Sequence, residues 1–301
     1  MTMIRTIART LSRPTLVLAG AAAIALGMSS AAIAAGGSCA NPLPHQKWSF
    51  DGMFGTYDRA AAQRGFQVYK DVCAACHGLS LVAYRNLADL GLTEDQIKDQ
   101  IKDIQIQDGP NDKGEMFERR AKPSDRFRKP YANDETARAV NNGALPPDLS
   151  LLAKSRNGDE CGVGIPILRT FINKLQQRGP DYIHGVLVGY VDAAKITPEL
   201  RKKLDLKDDF KLGKNMAFNV RFKGHQIAMP PPLTDGAVTY ADGAPNTVDS
   251  MAHDVATFLA WAAEPKMEDR KRTGVRVILF LIALAGMMYA VKRMVWADKK
   301  H

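Results

Sequence analysis

The two longest apolar stretches of the chain lie near its two ends. Residues 16–28 form a short apolar run rich in Ala and Gly, which follows three arginines and precedes small residues at 32–34. A positive start, a compact apolar core and small residues are typical of a secretory signal peptide, so we predict that residues 1–35 are cleaved. The run is too short for a membrane span. An organellar presequence is the other alternative, because such leaders are also rich in Arg.

The second stretch, residues 275–291, carries one charge, Arg276, at its edge. As a helix it would measure about 25 Å, and the apolar residues that follow extend it towards about 30 Å, the thickness of a bilayer core. It has no polar face and basic clusters flank it, which disfavours a buried core helix. The predicted segments are a linker at 266–273, a transmembrane anchor helix at 274–296 and a cytoplasmic tail at 297–301. With the export signal, they predict a single-pass protein of the bacterial inner membrane whose body faces the periplasm.

Between these ends, residues 36–265 are predicted to form one exported domain. Its clearest helical pattern lies at 247–263, where apolar residues recur every three or four positions before Pro265. Further helices are predicted at 58–76, at 93–104 with Thr93 as N-cap, and at 165–177. Irregular structure is predicted at 107–135 and 213–232, and a solvated surface at 194–214. Because no strand pattern alternates strongly, the domain is predicted to be mainly α with long irregular loops.

The formal charge of +9 could indicate a nucleic-acid-binding protein. The excess of basic residues, however, lies in the predicted signal peptide and around the predicted anchor, whereas acidic and basic residues balance between 36 and 265. A phosphate-binding face would need positive charge clustered on the folded body. We therefore predict no nucleic-acid partner.

One motif carries recognisable chemistry, Cys73-Ala-Ala-Cys76-His77. Two thiols at this spacing can each bond one vinyl group of a haem, and the adjacent imidazole can then bind the iron, so the motif is typical of haem c attachment. A thioredoxin-like redox pair would need a βαβ context, and a structural zinc site would need a second pair of ligands nearby. The sequence shows neither, so we predict one covalent haem c held by Cys73 and Cys76, with His77 on the iron.

The sixth iron ligand must come from elsewhere in the chain, and ligation by a Met thioether would raise the reduction potential. The candidates are Met116, Met216, Met229, Met251, His184, His225 and His253. Met229 stands out because three prolines follow it, and a proline-stiffened segment can hold a side chain in place at low entropic cost. Met251 lies on the apolar face of the helix predicted at 247–263, where core packing is the simpler interpretation.

Several further stretches of the body are distinctive. They are RGFQVYK at 64–70, VAYRN at 82–86, QDGPN at 107–111, GEMF at 114–117, KPY at 129–131, NNGALPPDLS at 141–150, MPPP at 229–232 and WAAEP at 261–265. On these stretches the chain resembles the cytochrome c1 family, the c-haem subunits of quinol–cytochrome c oxidoreductases (bc1 complexes). Together with the anchor, the match covers nearly all of the mature chain. The resemblance implies a class I cytochrome c-like haem domain.

The resemblance also implies roles for individual residues. Met229 matches the sixth iron ligand of the family, and Arg156 matches the arginine that pairs with a haem propionate. Tyr182 and the segment from Asn141 to Pro147 match residues that line the haem. A surface salt bridge for Arg156 and plain packing for Tyr182 are the alternatives.

The chain departs from the family in two places. Residues 157–179 resemble an insertion relative to shorter members, and they contain Cys161, which either pairs with Cys39 or is a free thiol. In the helix predicted at 93–104, lysines are mixed with the acidic residues. We therefore expect no strongly acidic docking surface and only a modest salt dependence of binding to the electron acceptor.

The function that the resemblance implies is one-electron transfer, because this chain itself makes or breaks no bond in a substrate. The donor would be the Rieske iron–sulfur protein and the acceptor a soluble or tethered cytochrome c, within a dimeric membrane complex that contains cytochrome b. One alternative is a free-standing, membrane-tethered c-type cytochrome that shuttles electrons. Another is a haem enzyme with an open iron site, such as a peroxidase.

Overall fold

The computed structural model describes residues 43–156 and 178–297. The predicted signal peptide, the helix predicted at 165–177, Cys39 and Cys161 lie outside these residues. The α-helices are α1 Arg59–Asp71, α2 Glu94–Ile101, α3 Asp134–Val140, α4 Leu152–Ser155, α5 Arg178–Val188, α6 Pro198–Lys203, α7 Val248–Ala263 and α8 Met267–Trp296. Short 3₁₀ segments cover Cys73–Ala75, Tyr84–Leu90 and Ala193–Lys195. Two antiparallel strand pairs are β1 Gln105–Asp108 with β2 Phe117–Arg120, and β3 Ala217–Phe218 with β4 Gln226–Ile227. The mainly α fold is therefore confirmed.

Helix α7 lies at the centre of the hydrophobic core. Its residues Met251, Phe258 and Trp261 are buried, as the spacing of its apolar positions predicts. It packs mainly against α1 and also against α5. Where α1 crosses α7, a Cβ on Gly65 would lie 2.0 Å from the carbonyl oxygen of Asp254, so only glycine fits there.

Polar contacts fix the same crossing. The guanidinium of Arg64 donates to both carboxylate oxygens of Asp254, at 2.8 and 3.1 Å, and Asp254 is almost fully buried. The Tyr57 hydroxyl lies 3.1 Å from the carbonyl oxygens of Ala260 and Glu264. Breaking a bidentate pair with a buried carboxylate is strongly destabilising. Helix α1, which leads into the Cys73–His77 motif, is therefore held firmly on the core.

Threonine hydroxyls cap the first turns of α2 and α7, and the first of these caps, Thr93, was predicted. The Thr93 hydroxyl accepts a hydrogen bond from the Gln96 N–H at 3.2 Å and opens α2, and the Thr247 hydroxyl accepts from the Ser250 N–H at 3.3 Å and opens α7. The helix predicted at 58–76 is shorter than expected. It ends at Asp71, and the chain continues into the motif as a separate 3₁₀ turn.

The region predicted to be irregular at 107–135 contains regular structure. Most of the β1–β2 hairpin and the start of α3 lie in it. Arg119 pairs with Asp108 across the hairpin, and also donates to both oxygens of Asp125 at 2.6 and 2.9 Å. The hairpin is held by ion pairs and its residues are exposed or half-buried, so no alternating apolar pattern could have predicted it.

Helix α8 runs without a break from Met267 to Trp296, so the linker predicted at 266–273 is helical and continuous with the predicted anchor. The helix is long and apolar enough to cross a membrane, and its apolar part is not buried against the body. It fits a single-pass membrane protein. Its first turns are attached to the body, since Met267 is 1% exposed and Arg59 pairs with both oxygens of Glu268 at 2.7 and 2.9 Å.

Candidate functional site

The Cys73–His77 motif forms a tight turn directly after α1. The N–H groups of Cys76 and His77 both donate to the carbonyl oxygen of Cys73, at 3.1 and 2.9 Å. The Tyr69 hydroxyl, on α1, donates to the carbonyl oxygen of His77 at 3.1 Å. The two cysteines do not form a disulfide with each other. One turn of backbone therefore brings two sulfur atoms and an imidazole together, as the motif predicts.

The ring of His77 is held in one tautomer. Its Nδ1 lies 2.8 Å from the carbonyl oxygen of Pro147. A carbonyl oxygen can only accept, so Nδ1 carries the hydrogen and Nε2 presents a lone pair. Burial lowers the pKa of His77, although the bond to Pro147 acts in the opposite direction. The ring is therefore a neutral imidazole with a free Nε2, which is the form that binds a metal.

Two chain segments, 77–81 and 147–150, are hydrogen-bonded to each other beside the motif, and we call them the proximal segments. In addition to the His77 contact, the Leu149 N–H donates to the carbonyl oxygen of Gly78 at 2.9 Å. The Leu81 N–H donates to the Ser150 hydroxyl at 3.0 Å. These bonds fix the Pro147 carbonyl, and through it the orientation of the imidazole.

The carboxylate of Asp148 also joins the proximal segments. Its two oxygens accept hydrogen bonds from the N–H groups of Ser80 and Ser150, each at 2.9 Å. Burial acts to raise the pKa of Asp148, but these hydrogen bonds outweigh it and the pKa lies below its usual value. Asp148 is therefore ionised at neutral pH. Its carboxylate joins its own segment, 147–150, to the segment 77–81 that begins at His77. The motif identifies the two cysteines and the histidine, but it did not predict that Asp148 joins the two segments.

The environment of Cys73 disfavours a thiolate. Burial raises the pKa of its thiol to about 12, and Cys76 acts in the same direction. Thiol exchange and zinc binding both require the thiolate. Among the described residues, no three His, Cys, Asp or Glu side chains are arranged to hold a metal ion. A neutral thioether sulfur, as formed in haem attachment, suits this position better.

Asn141 lies at the other end of the segment that leads to Pro147. Its side-chain amide donates to the Tyr131 hydroxyl at 3.0 Å and to the carbonyl oxygen of Ala137 at 2.7 Å. Asn141 thereby ties the end of α3 to the loop that contains Tyr131. The observed contacts of Asn141 therefore position the backbone.

Met229 follows strand β4 and is half-buried. Its carbonyl oxygen accepts a hydrogen bond from the Tyr190 hydroxyl at 3.1 Å. Tyr190 is itself fixed by a β-bridge to Asn219. Burial raises the pKa of Tyr190, so its hydroxyl stays protonated and able to donate. Tyr190 has no sequence signal of its own and was not predicted.

Arg156 and Tyr182, both predicted to lie near the haem, are in contact. The guanidinium carbon of Arg156 lies 5.9 Å from the centre of the Tyr182 ring, within the range of a cation–π interaction. Tyr182 acts in the same direction as burial and raises the pKa of Tyr190. We call Arg156, Tyr182, Tyr190 and Met229 the distal cluster.

Several of the other candidate ligands have partners elsewhere. Met251 is fully buried in α7, and Nε2 of His184 lies 3.0 Å from Oδ1 of Asp249. The ring of His253 stacks on that of Trp48 with centres 4.6 Å apart. The remaining candidates, which are at least partly exposed, are Met116, Met216 and His225. These contacts disfavour Met251, His184 and His253 as iron ligands.

A turn that presents two thiols and a neutral imidazole, on a mainly α body with one long apolar helix, defines a protein of the c-type cytochrome class. Residues 48–299 match the profile of the Cytochrome C1 family. The chain belongs to that family.

Curated relatives agree with this assignment. Cytochrome b/c1 of Bradyrhizobium diazoefficiens is 46% identical over 287 residues, which are 94% of this chain but 39% of that protein. Cytochrome c1 of Rhodospirillum rubrum is 43% identical over 284 residues, 93% of this chain and 96% of that protein. Cytochrome c1 1, a mitochondrial haem protein of Arabidopsis thaliana, is 41% identical over 258 residues, 85% of this chain and 73% of that protein. The chain thus spans about two fifths of the first relative and most of the other two.

Proposed function

We propose that this chain is the haem-bearing electron carrier of a quinol–cytochrome c oxidoreductase. The observation that carries the proposal is His77, a neutral imidazole with a free Nε2 in the same turn as two thiols. When bound, a haem c supplies an iron that gains and loses one electron at a time. The residues of the chain bind this group, orient it and set its electrostatic surroundings.

The surroundings of the motif fit an apolar macrocycle. Three leucines within or next to the proximal segments are exposed, Leu81 by 56%, Leu151 by 49% and Leu145 by 37%. Large apolar side chains left exposed next to a ligand-binding motif are expected where a ligand or partner covers them. In the proposal, the haem covers these side chains and excludes water from the iron.

Each predicted site residue has a role in this proposal. Cys73 and Cys76 would hold the haem through thioether bonds, and His77 and Met229 would be the protein ligands of its iron. The thioether ligand favours the reduced iron and raises the potential. What supports Met229 is its fixed backbone and the engagement of other candidates with their own partners.

The remaining predicted residues are proposed to contact the edge and the faces of the haem. Arg156 presents an exposed guanidinium above the Tyr182 ring and is the proposed partner of a haem propionate. Tyr182, Asn141 and Pro147 are proposed to line the pocket. The bond between Pro147 and His77 supports this for Pro147.

The proposed partners follow from family membership and from the name of one relative, cytochrome b/c1. We propose a dimeric complex with cytochrome b and the Rieske iron–sulfur protein, which donates the electron, and a soluble or tethered cytochrome c as the acceptor. Helix α8 would lie beside cytochrome b in a bacterial inner membrane, with the body in the periplasm and the tail in the cytoplasm.

Acceptor docking is proposed to depend only modestly on salt. On α2, Lys98 pairs with Glu94 at 2.7 Å, and Lys102 pairs with Asp99 at 2.8 Å. Acidic side chains that are already paired on their own helix attract a basic partner less strongly. Redox encounters are in any case small and transient.

An optical redox titration of the detergent-purified protein tests the proposed ligation. We expect a positive potential and, in the oxidised form, the far-red sulfur-to-iron charge-transfer band that Met ligation produces. A low potential without the band would exclude Met229 as the ligand. Carbon monoxide binding to the reduced protein would then indicate an open iron site and favour a haem enzyme.

Co-purification tests the proposed complex separately. Mild detergent extraction of native membranes should yield the chain together with a b-type cytochrome and an iron–sulfur protein. A chain that carries the haem with the expected potential, but purifies alone under the mildest conditions, would instead support the free-standing electron shuttle.

A further inference from the structure

A surface loop at 51–56 exposes two adjacent apolar side chains at its tip. Phe54 is 78% exposed and Met53 is 45% exposed, whereas Phe50 and Tyr57, which flank the loop, are buried. The loop is therefore rooted in the core while its tip points apolar groups outwards. A large aromatic side chain exposed to this degree, beside another apolar one, usually marks a contact surface.

The loop is bound to the first turns of helix α8. The ammonium of Lys271 donates to the carbonyl oxygens of Phe50 and Gly55, at 2.6 and 3.1 Å. The Tyr57 N–H, at the end of the loop, donates to Glu268 at 2.8 Å. The two ends of the loop are thus attached to consecutive turns of the same helix, and the tip between them has a fixed place beside it.

This place lies at the boundary between the polar and apolar parts of α8. Lys271 precedes Val275, where the apolar stretch begins, by one helical turn, about 6 Å along the axis. The basic residues around this boundary are Arg270, Lys271, Arg272 and Arg276. Basic side chains at the end of a membrane helix suit the phosphate groups of lipids. The loop is thus attached to α8 about one helical turn before the apolar stretch begins, near the level where lipid headgroups would meet acyl chains.

We propose that the Met53–Phe54 tip is a second membrane contact, which inserts into the interfacial region of the phospholipid bilayer beside the anchor. Apolar side chains next to basic ones are the usual composition of segments that lie in this region. With the anchor and the tip both in the bilayer, the body cannot rotate freely about the helix axis, and the face that carries the motif keeps a constant orientation to the membrane.

The proposal rests on the proposed role of α8 as the membrane anchor. The test must therefore distinguish a failure of the tip contact from a failure of the anchor. A photoreactive benzoylphenylalanine is placed at position 54 of the full-length, haem-loaded chain in nanodiscs of phosphatidylcholine and phosphatidylglycerol. Matched positions are Phe117, an exposed aromatic residue on β2, and Ile282, a 65% exposed residue in the middle of α8. After illumination, mass spectrometry detects peptides that have gained the mass of a lipid. The native haem spectrum shows that each variant is folded.

We expect lipid adducts at positions 54 and 282 and none above background at 117. A lipid adduct at position 282 without one at position 54 would overturn the tip contact and leave the anchor role of α8 intact. The absence of an adduct at position 282 would overturn the tip contact and the anchor role together. Equal yields at 54 and 117 would show non-specific labelling and also overturn it. The same experiment in native membranes identifies the occupant in the cell. A cross-link from position 54 to another protein subunit there would mean that this tip is a protein interface, contrary to the proposal.

Discussion

The two sides of the proposed haem site are built differently. On the proximal side, the ligand His77 is held by a network in which main-chain groups of two segments bond to each other and to Asp148. On the distal side, the backbone at Met229 is fixed by a side-chain bond from Tyr190, and the neighbouring groups come from distant parts of the chain. His77 is thus fixed through several bonds between two neighbouring segments, whereas the Met229 carbonyl is fixed by one side-chain bond from Tyr190, which is itself anchored by a β-bridge.

This difference indicates a division of roles. A ligand held by several cooperating hydrogen bonds is fixed before the haem binds, so changes on the proximal side should act mainly on stability. The segment of Met229 is stiffened by prolines but has fewer bonds to its surroundings, so changes on the distal side should act mainly on the iron potential and on access to the iron. Substitutions on each side test this division of roles.

The largest effect is expected from Met229→Leu. Leucine keeps the size and apolar character but removes the sulfur, so the haem should stay attached through its cysteines while the potential falls by roughly 0.2 V, within the ~0.8 V range that axial ligands set. The charge-transfer band should disappear and turnover of the complex should stop. Redox titration measures the potential. Met216→Leu, at a methionine 37% exposed, is the matched control and should leave it unchanged. An unchanged potential in Met229→Leu itself would contradict the assigned ligand.

An intermediate effect is expected from Asp148→Asn. The amide keeps the shape, but its NH₂ group would face one of the two N–H donors, which should lower the free energy of unfolding by about 1–3 kcal/mol. Because the pKa of Asp148 is lowered in the folded state, its contribution is fully present above the unfolded value of about 4 and is lost as the pH falls through the folded value. Denaturant unfolding at neutral and acidic pH measures both effects, and the potential should change little.

The control for this prediction is Ser150→Ala, which removes the neutral acceptor of the Leu81 N–H in the same network. It should also destabilise the protein, and part of that loss should remain in acid, because the bond from the Leu81 N–H does not titrate whereas the contribution of the hydroxyl to the lowered pKa of Asp148 does. If the difference between Asp148→Asn and the unaltered protein persisted in acid, the ionised carboxylate would not be the group that joins the segments.

Local patterns predicted those parts of the molecule that local interactions build. The spacing of apolar residues predicted α7, the Thr93 cap predicted the start of α2, and the cysteine motif predicted the turn that contains His77. Each of these depends on residues a few positions apart. The β1–β2 hairpin was missed because ion pairs, not a buried apolar face, hold it.

The rest of the site depends on contacts between distant residues, which periodicity cannot show. Pro147 lies 70 positions from His77, and Tyr190 lies 39 positions from Met229. The resemblance to a family supplied Pro147 and strengthened Met229, which the three prolines after it had already marked as a candidate. It did not identify Asp148, which links the two proximal segments, or Tyr190, which bonds the Met229 carbonyl. The roles of these two residues are visible only in the three-dimensional structure.

The smallest effect is expected from Tyr190→Phe, which removes one hydroxyl and leaves the ring in place. Losing the bond to the Met229 carbonyl should cost about 1 kcal/mol of stability and loosen the segment that carries the proposed ligand. The matched change on the other side is Tyr131→Phe, which removes the hydroxyl that accepts from Asn141. Both variants should lose similar stability, but only Tyr190→Phe should let the reduced protein bind carbon monoxide more readily, as measured from the Soret band. Equal carbon monoxide binding by the two variants would mean that the distal ligand is fixed as firmly as the proximal one, and the comparison between the two sides would fail.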